Sequence, residues 1–234
     1  MTDYYDRRLA GSRLRRCYEL ASPRVQQYLE AEIEHLLSRV GREDDVLELG
    51  CGYGRVALRL ADSVRRVVGV DTAQESLGLA RAQAGDRTNY EFALMDAVDM
   101  SFPDGTFDVV ACVQNGICAF GVDPERLLRE ALRVAKPGGR LLFSSYSERF
   151  WDERLSWFEA QSAAGLVGAI DMRATGNGVI VCEDGFRAGA MSAAGFEALC
   201  RFLGVEGDIL EVDGSSLFCE ISRRLRPAPF SDSV

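Results

Sequence analysis

A chain of 234 residues with 47% hydrophobic side chains can bury a substantial core, yet no uninterrupted apolar stretch approaches the roughly 20 residues a membrane-crossing helix needs. The formal charge of −9 opposes long-range attraction to a phosphate backbone, so a small-molecule partner is favoured over nucleic acid or a membrane. Seven cysteines, odd in number and without a C-x-x-C pair, read as small apolar residues in a reducing compartment and not as a metal site.

In chain order, Met1-Thr2-Asp3-Tyr4-Tyr5-Asp6 lacks the basic and apolar regions of a signal peptide, which predicts a cytoplasmic location. The segment from Tyr4 to Leu20 is aromatic and basic and is expected to cap a site, with Tyr4, Tyr5 and Tyr18 closing over it. Arg13, Arg15 and Arg16, like Arg223, Arg224 and Arg226 near the other end, read as solvated helix and tail residues before they read as a phosphate-binding patch. Residues 24–40 place Val25, Tyr28, Leu29, Glu32, Ile33, Leu36, Leu37 and Val40 at mostly three-and-four spacing, which predicts an amphipathic helix covering a sheet. His35, the single histidine, is expected at the surface of that helix and not in catalysis.

The apolar run Val46-Leu47-Glu48-Leu49 ends in Gly50, Gly52 and Gly54, and a helical pattern follows through Val56, Ala57, Leu58, Leu60 and Ala61. A buried parallel strand turning sharply into a helix reads this way, and such a turn brings bare backbone close to a ligand. The dinucleotide fingerprint G-x-G-x-x-G would need a glycine where Arg55 stands. A second strand, Arg66 to Asp71, ends in an acid twenty-one residues after Gly50, the offset at which a carboxylate reaches ribose hydroxyls. A third strand, Tyr90 to Leu94, leads to Met95-Asp96-Ala97, and a fourth, Phe107 to Val113, leads to Gln114-Asn115-Gly116. Each polar group thus falls past a strand's carboxyl end, the ligand-binding edge of an open α/β sheet.

Asp123-Pro124-Glu125 supplies an N-cap, a proline at the first helical position and an early acid, starting a helix that runs through Val134. Pro137-Gly138-Gly139 then opens a fifth strand, Arg140 to Tyr146. Residues 148–190 break the alternation and read as an insertion with an aromatic helical segment (Phe150, Trp151, Leu155, Trp157, Phe158) and a strand at Val179 to Cys182. Ser192 caps a further helix, two strands follow at Asp208–Val212 and Ser216–Ser222, and Pro227 onward reads as a frayed tail.

The ordered series from the glycine loop through Asp71, Asp96-Ala97, Phe107-Asp108-Val109-Val110 and Arg133 to Leu142 resembles the class I S-adenosylmethionine-dependent methyltransferases over roughly residues 45–147. The resemblance implies a doubly wound, mostly parallel seven-stranded Rossmann-like α/β sheet with helices on both faces, its last strand antiparallel. The domain plan is then N-terminal cap helices (1–44), a cofactor-binding core (45–147), an insertion over the acceptor site (148–190), a C-terminal helix with the last strands (191–226) and a tail (227–234).

It further implies S-adenosyl-L-methionine as cofactor, S-adenosyl-L-homocysteine as product and no metal. Glu48, Gly50, Cys51, Gly52, Gly54, Asp71, Thr72, Asp96, Ala97 and Gln114 would then line the cofactor, with Glu48 beneath the loop, Asp71 on the ribose and Asp96 with Ala97 on the adenine. Gln114, Asn115 and Tyr5 are the candidates for catalysis, set against a plain turn-capping role for the two amides. Displacement at a sulfonium needs chiefly alignment and exclusion of water. The expected activity is methyl transfer to an O, N or S nucleophile of a small acceptor, by a monomer or homodimer. Aminopropyl transfer, a non-catalytic cofactor-binding regulator, and thiolate capture of trivalent arsenic through Cys51 and Cys118 are the alternatives.

Overall fold

The computed structural model describes residues 3–223. Nine helices and nine strands are described in it, and seven of the strands form one sheet. Its parallel part is β1 (Asp45–Leu49), β2 (Arg66–Asp71), β3 (Tyr90–Leu94), β4 (Phe107–Cys112) and β5 (Ala135–Tyr146). With β8 (Gly207–Val212) and β9 (Ser216–Ser222) the order across the sheet is β3-β2-β1-β4-β5-β9-β8. β9 runs antiparallel to both neighbours, as the tight Asp213-Gly214 turn allows. The order reverses at β1 and β4, so a crevice opens above the carboxyl ends of these two strands.

Side chains of successive strand residues point to opposite faces. Leu47 and Leu49 therefore join one core with Leu127, Leu128 and Ala131 of α7 (Pro124–Val134) and Phe196 and Leu199 of α9 (Ala193–Leu203). Val46 faces the other core, with Ile33 and Leu36 of α3 (Pro23–Leu37), Ala57 and Leu60 of α4 (Ala57–Leu60) and Leu77 and Ala80 of α5 (Gln74–Ala84). The sheet is thus covered on both faces, the condition under which parallel strands are stable. A third cluster lies off the sheet and joins Leu9 and Cys17 to Phe158, Val167, Ile180 and Phe186.

The expected caps form: Asp123 accepts from the Glu125 amide at 2.9 Å and Ser192 from the Gly195 amide at 3.1 Å. Several boundaries differ from the sequence reading. α3 stops at Leu37, short of Val40, because the Ser38 hydroxyl turns back to donate to the His35 carbonyl. The glycine-loop helix is the single turn Ala57–Leu60. β5 begins at Ala135, which pairs with Phe107 before residues 136–139 bulge out and Arg140 pairs with Val109. Gly139 permits that bulge, since a Cβ there would sit 3.0 Å from the Asp108 carbonyl oxygen.

His35 is not a surface residue. Its Nε2 lies 2.7 Å from Glu220 Oε1 on β9, and its ring packs 4.2 Å from that of Phe218. Arg39 donates to the same carboxylate at 3.0 Å; against the opposing effect of burial, Arg39 and His35 hold the Glu220 carboxyl below its usual range. This cluster pins α3 to the sheet.

The Tyr4–Leu20 segment folds as two helices, α1 (Asp3–Arg8) and α2 (Gly11–Glu19). In the insertion a 3-10 turn at Glu148–Phe150 leads into α8 (Trp151–Ala163), and β6 (Ile180–Val181) pairs with β7 (Arg187–Ala188). Arg15 and Arg16 pair with Glu19, and Arg13 donates to the Gly165 and Leu166 carbonyls, so these arginines form no open basic patch. Arg224, Arg226 and the tail from Pro227 lie outside the described residues.

Candidate active site

A cavity of about 400 Å³ opens above β1 and β4, within the size range of small-molecule sites. Its floor starts with the glycine loop. Gly50 and Cys51 donate their amides to the Val70 carbonyl at 2.8 and 3.0 Å, which ties the loop to β2. Gly50 sits at φ +69°, and a Cβ there would fall 2.3 Å from the Phe120 ring. Any side chain at this position would overlap the aromatic wall of the cavity. Gly54 does not reach the cavity: at φ +83° it lets Ala80 and Phe92 approach to 3.0 and 3.1 Å of its absent Cβ, and so packs α5 against the loop.

Asp71, at the end of β2, accepts from the Gly52 amide through Oδ2 and from the Ala73 amide through Oδ1, both at 2.8 Å. It therefore locks the loop to the end of β2, with its carboxylate at the cavity wall. Asp96, exposed after β3, takes the Val98 amide at 3.0 Å, and Thr72 and Ala97 line the wall beside these acids.

Beneath the loop, Glu48 is 3% exposed, and its Oε2 has no hydrogen-bond partner. Burial pushes its carboxyl up to about 8, with the Arg55 cation and the Ala57 amide working the other way. Arg55 also lines the cavity, lies 5.2 Å over the Tyr18 ring and leaves Nε and Nη2 buried without a hydrogen-bond partner.

Past β4, Gln114 and Asn115 both adopt left-handed backbone, φ +54° and +63°, and this sends their side chains apart. The Gln114 amide N–H donates to Glu32 and to Ser144, each at 2.9 Å, while its side-chain Oε1 accepts from Tyr18 at 2.8 Å. Its Nε2 is buried without a protein partner, and the residue lines the cavity. Asn115 does not line it. It accepts from Ser145 at 2.7 Å and donates to the Gly189 carbonyl at 2.9 Å, so both ends of its amide fasten the insertion to β5.

The roof comes from α1, α2 and the insertion: Tyr5, Leu9, Leu14, Cys17 and Tyr18 face Trp157, Phe158, Gln161 and Phe186. Trp157 donates to the Cys17 carbonyl at 2.8 Å, and Tyr4 and Arg8 reach Asp184 at 2.6 and 2.8 Å, closing the N-terminal helices onto the insertion. Tyr4, Phe150 and Trp151 support this roof without lining the cavity. Burial raises the Tyr5 and Tyr18 hydroxyls above their ordinary range and the Cys17 thiol to about 12, so all three stay protonated near neutrality.

Residues 47–143 match the family model described as a methyltransferase domain. The chain is thus similar to this family over a segment shorter than half its length. It is 30% identical over 148 residues to a 2-methyl-6-phytyl-1,4-hydroquinone methyltransferase of Synechocystis, covering 56% of this chain and 46% of that protein. It is 34% identical over 138 residues to an arsenite methyltransferase of Aquipseudomonas alcaligenes, covering 53% and 39%. The chain spans about half the length, or less, of the curated relatives it matches. Among solved structures, the PH0226 protein of Pyrococcus horikoshii superposes with a TM-score of 0.66 at 24% identity, over 95% of this chain and 99% of that one, a likeness of fold.

The fold brings Glu48, Gly50, Cys51, Gly52, Asp71, Thr72, Asp96, Ala97, Gln114 and Tyr5 to one cavity and leaves Gly54 and Asn115 outside it. Sequence reasoning overlooked Arg55 as a lining group, having weighed it only as a missing glycine. It also overlooked Glu32, a buried acid on the apolar face of α3, whose single signal was its position among Tyr28, Leu29, Ile33 and Leu36. Ser216 and Ser144 hydroxyls and the Gln114 amide surround that carboxyl, and burial still raises it above its usual range.

Proposed function

We propose that the protein transfers a methyl group from S-adenosylmethionine to an oxygen, nitrogen or sulfur nucleophile of a small-molecule acceptor. The observation that carries this reading is a single cavity with a charged floor on the strand-end loops and an uncharged roof over it. The floor fits the cofactor's chemistry: Asp71 and Asp96 bring acceptor carboxylates to the wall where ribose and adenine donors would lie, and the unpartnered Glu48 Oε2 and Arg55 Nε and Nη2 match an ammonium and a carboxylate. When bound, the cofactor supplies a methyl group already activated by its sulfonium. The chain's own residues then have to align the acceptor and exclude water, which the closed aromatic roof does.

On this reading residues 45–147 hold the cofactor and residues 148–190 cover the acceptor. Capture of a metalloid is disfavoured, because among the described residues no three His, Cys, Asp or Glu side chains converge as a metal site. Cys51 lines the cavity and Cys118 does not.

The test is calorimetry with S-adenosylmethionine, S-adenosylhomocysteine and NAD, followed by incubation with pooled metabolites and assay for S-adenosylhomocysteine. Tighter binding of NAD than of either sulfur cofactor would defeat the reading. Release of methylthioadenosine would mean aminopropyl transfer, and binding without turnover on any acceptor would mean a regulator.

A further inference from the structure

We infer that the acceptor is an uncharged, flat aromatic compound bearing a ring hydroxyl, and that Gln114, oriented by Tyr18, selects that oxygen. The inference rests on the methyl-transfer reading and deepens it. Among the described residues, the charged side chains lining the cavity are Glu48, Arg55, Asp71 and Asp96, all from the loops and ends of β1, β2 and β3. α1, α2 and the insertion contribute none. A carboxylate or an ammonium pressed against that roof would lose its hydration with no charged group in the roof's lining to meet it, since the Arg154 cation lies behind the Tyr146 ring and is engaged by three carbonyls.

What the roof offers is ring faces and edges. Tyr18 meets Trp157 edge-on at 5.8 Å, Tyr5 meets Phe186 edge-on at 6.0 Å, and Phe158 stacks on Phe186 at 5.9 Å. Rings already arranged at these spacings bind a further flat ring with little loss of side-chain freedom.

Gln114 supplies the direction. Its backbone is fixed by Glu32 and Ser144, and Tyr18 donates to its Oε1, so the amide cannot turn without losing a bond. The unpartnered Nε2 is then a fixed donor, which an oxygen lone pair satisfies and a protonated amine does not. In the transfer the ring oxygen uses its own lone pair to form the new O–C bond. The methyl carbon's bond to sulfur breaks, and that electron pair stays on sulfur as a neutral thioether. As the O–C bond forms the hydroxyl becomes strongly acidic and its proton passes to solvent water, since Tyr5, Tyr18 and Cys17 all keep theirs.

The experiment titrates 2,3-dihydroxynaphthalene, octanoate and putrescine into protein saturated with S-adenosylhomocysteine, then repeats the first with S-adenosylmethionine and identifies the product. The dihydroxynaphthalene should bind at least roughly tenfold more tightly than the other two and be methylated on oxygen. Gln114→Met should reduce its affinity by roughly three- to tenfold, the loss expected for one hydrogen bond. Tyr18→Phe should lower its preference over octanoate and raise KM more than it lowers kcat, whereas simple loosening of the roof would leave the preference unchanged. Equal binding of the three probes, or an unchanged preference in both variants, overturns the inference while leaving methyl transfer standing. Failure to bind S-adenosylhomocysteine at all overturns the methyl-transfer reading and this inference with it.

Discussion

The floor and the roof of the cavity are built in opposite ways. Floor residues sit within a few positions of the strand ends that hold them, and backbone amides of the same strand-end loops fix Asp71, from Ala73 two residues on and from Gly52 of the neighbouring loop. Roof residues meet across most of the chain: Tyr4 bonds Asp184, Arg13 reaches Leu166, and Trp157 donates to Cys17. The floor lines the cavity with charged side chains, while the roof lines it with rings, protonated hydroxyls and other uncharged groups and keeps its buried cation, Arg154, out of the lining. A chain can thus keep one half of a site by local motif and vary the other half by packing, which separates what holds a cofactor from what chooses an acceptor.

The sharpest way to test this contrast is to titrate the floor. The Glu48 carboxyl ionises near 8 in the folded chain against 4.5 in the unfolded one. Below pH 4.5 both states keep the proton. Between 4.5 and 8 only the unfolded state gives it up, so stability falls by about 1.4 kcal/mol per pH unit until the folded state ionises as well. Urea unfolding at pH 5.5, 7 and 8.5 should show wild type losing several kcal/mol relative to Glu48→Gln, and parallel profiles for the two would remove the buried acid from the account. A cation seated against Glu48 should expel its proton, so S-adenosylmethionine binding at pH 7 should release about one proton in wild type and none in the variant. Calorimetry in buffers of differing ionisation enthalpy reads this directly.

The roof should break differently. Arg154 is 1% exposed and donates to the carbonyls of Gly178, Ala188 and Gly189, while its guanidinium lies 4.3 Å over the Tyr146 ring. Arg154→Met leaves three carbonyls without that donor and should cost about 3 kcal/mol in chemical denaturation. Acceptor turnover should suffer more than S-adenosylhomocysteine affinity; equal losses in both would show floor and roof to be one unit.

Asp71→Ala makes the reverse cut, removing two loop anchors and a ligand acceptor together, and should weaken cofactor binding by about 1–3 kcal/mol with the roof intact. Unchanged affinity by calorimetry would exclude Asp71 from the ligand contacts. The smallest effect is expected at His35, which belongs to neither half. His35→Ala removes its contact with Glu220 and should cost about 1 kcal/mol of stability while turnover survives. A large loss of activity in the folded variant would reveal a proton-transfer role.

The sheet was legible because its signals are local. Each buried strand is a short apolar run closed by a turn, and the caps at Asp123 and Ser192 act within three residues of themselves. The seven-stranded, mostly parallel sheet and its antiparallel last strand came from the resemblance, and the structure has both. The glycine loop, Asp71 and Asp96 were readable for the same reason, since their places follow from strand ends and spacing. Less was legible where two segments compete for one function. The start of β5 moved to Ala135 because Phe107 offered a pairing that no property of residues 135–139 announces.

By itself, then, the sequence determined where the seven sheet strands lie to within a few residues, the caps and the charged edge above β1, β2 and β3. Tertiary structure alone decided that Asn115 turns to Ser145 and Gly189 while Gln114 faces the cavity, since adjacent left-handed residues diverge according to what surrounds them. It likewise decided that Gly54 packs against Ala80, that Arg55 becomes a lining group, and that Trp157 and Phe158 line the cavity while Phe150 and Trp151 do not. Aromatic and buried polar side chains carry no spacing that names their partners, so their roles are set only when segments distant in the chain fold together.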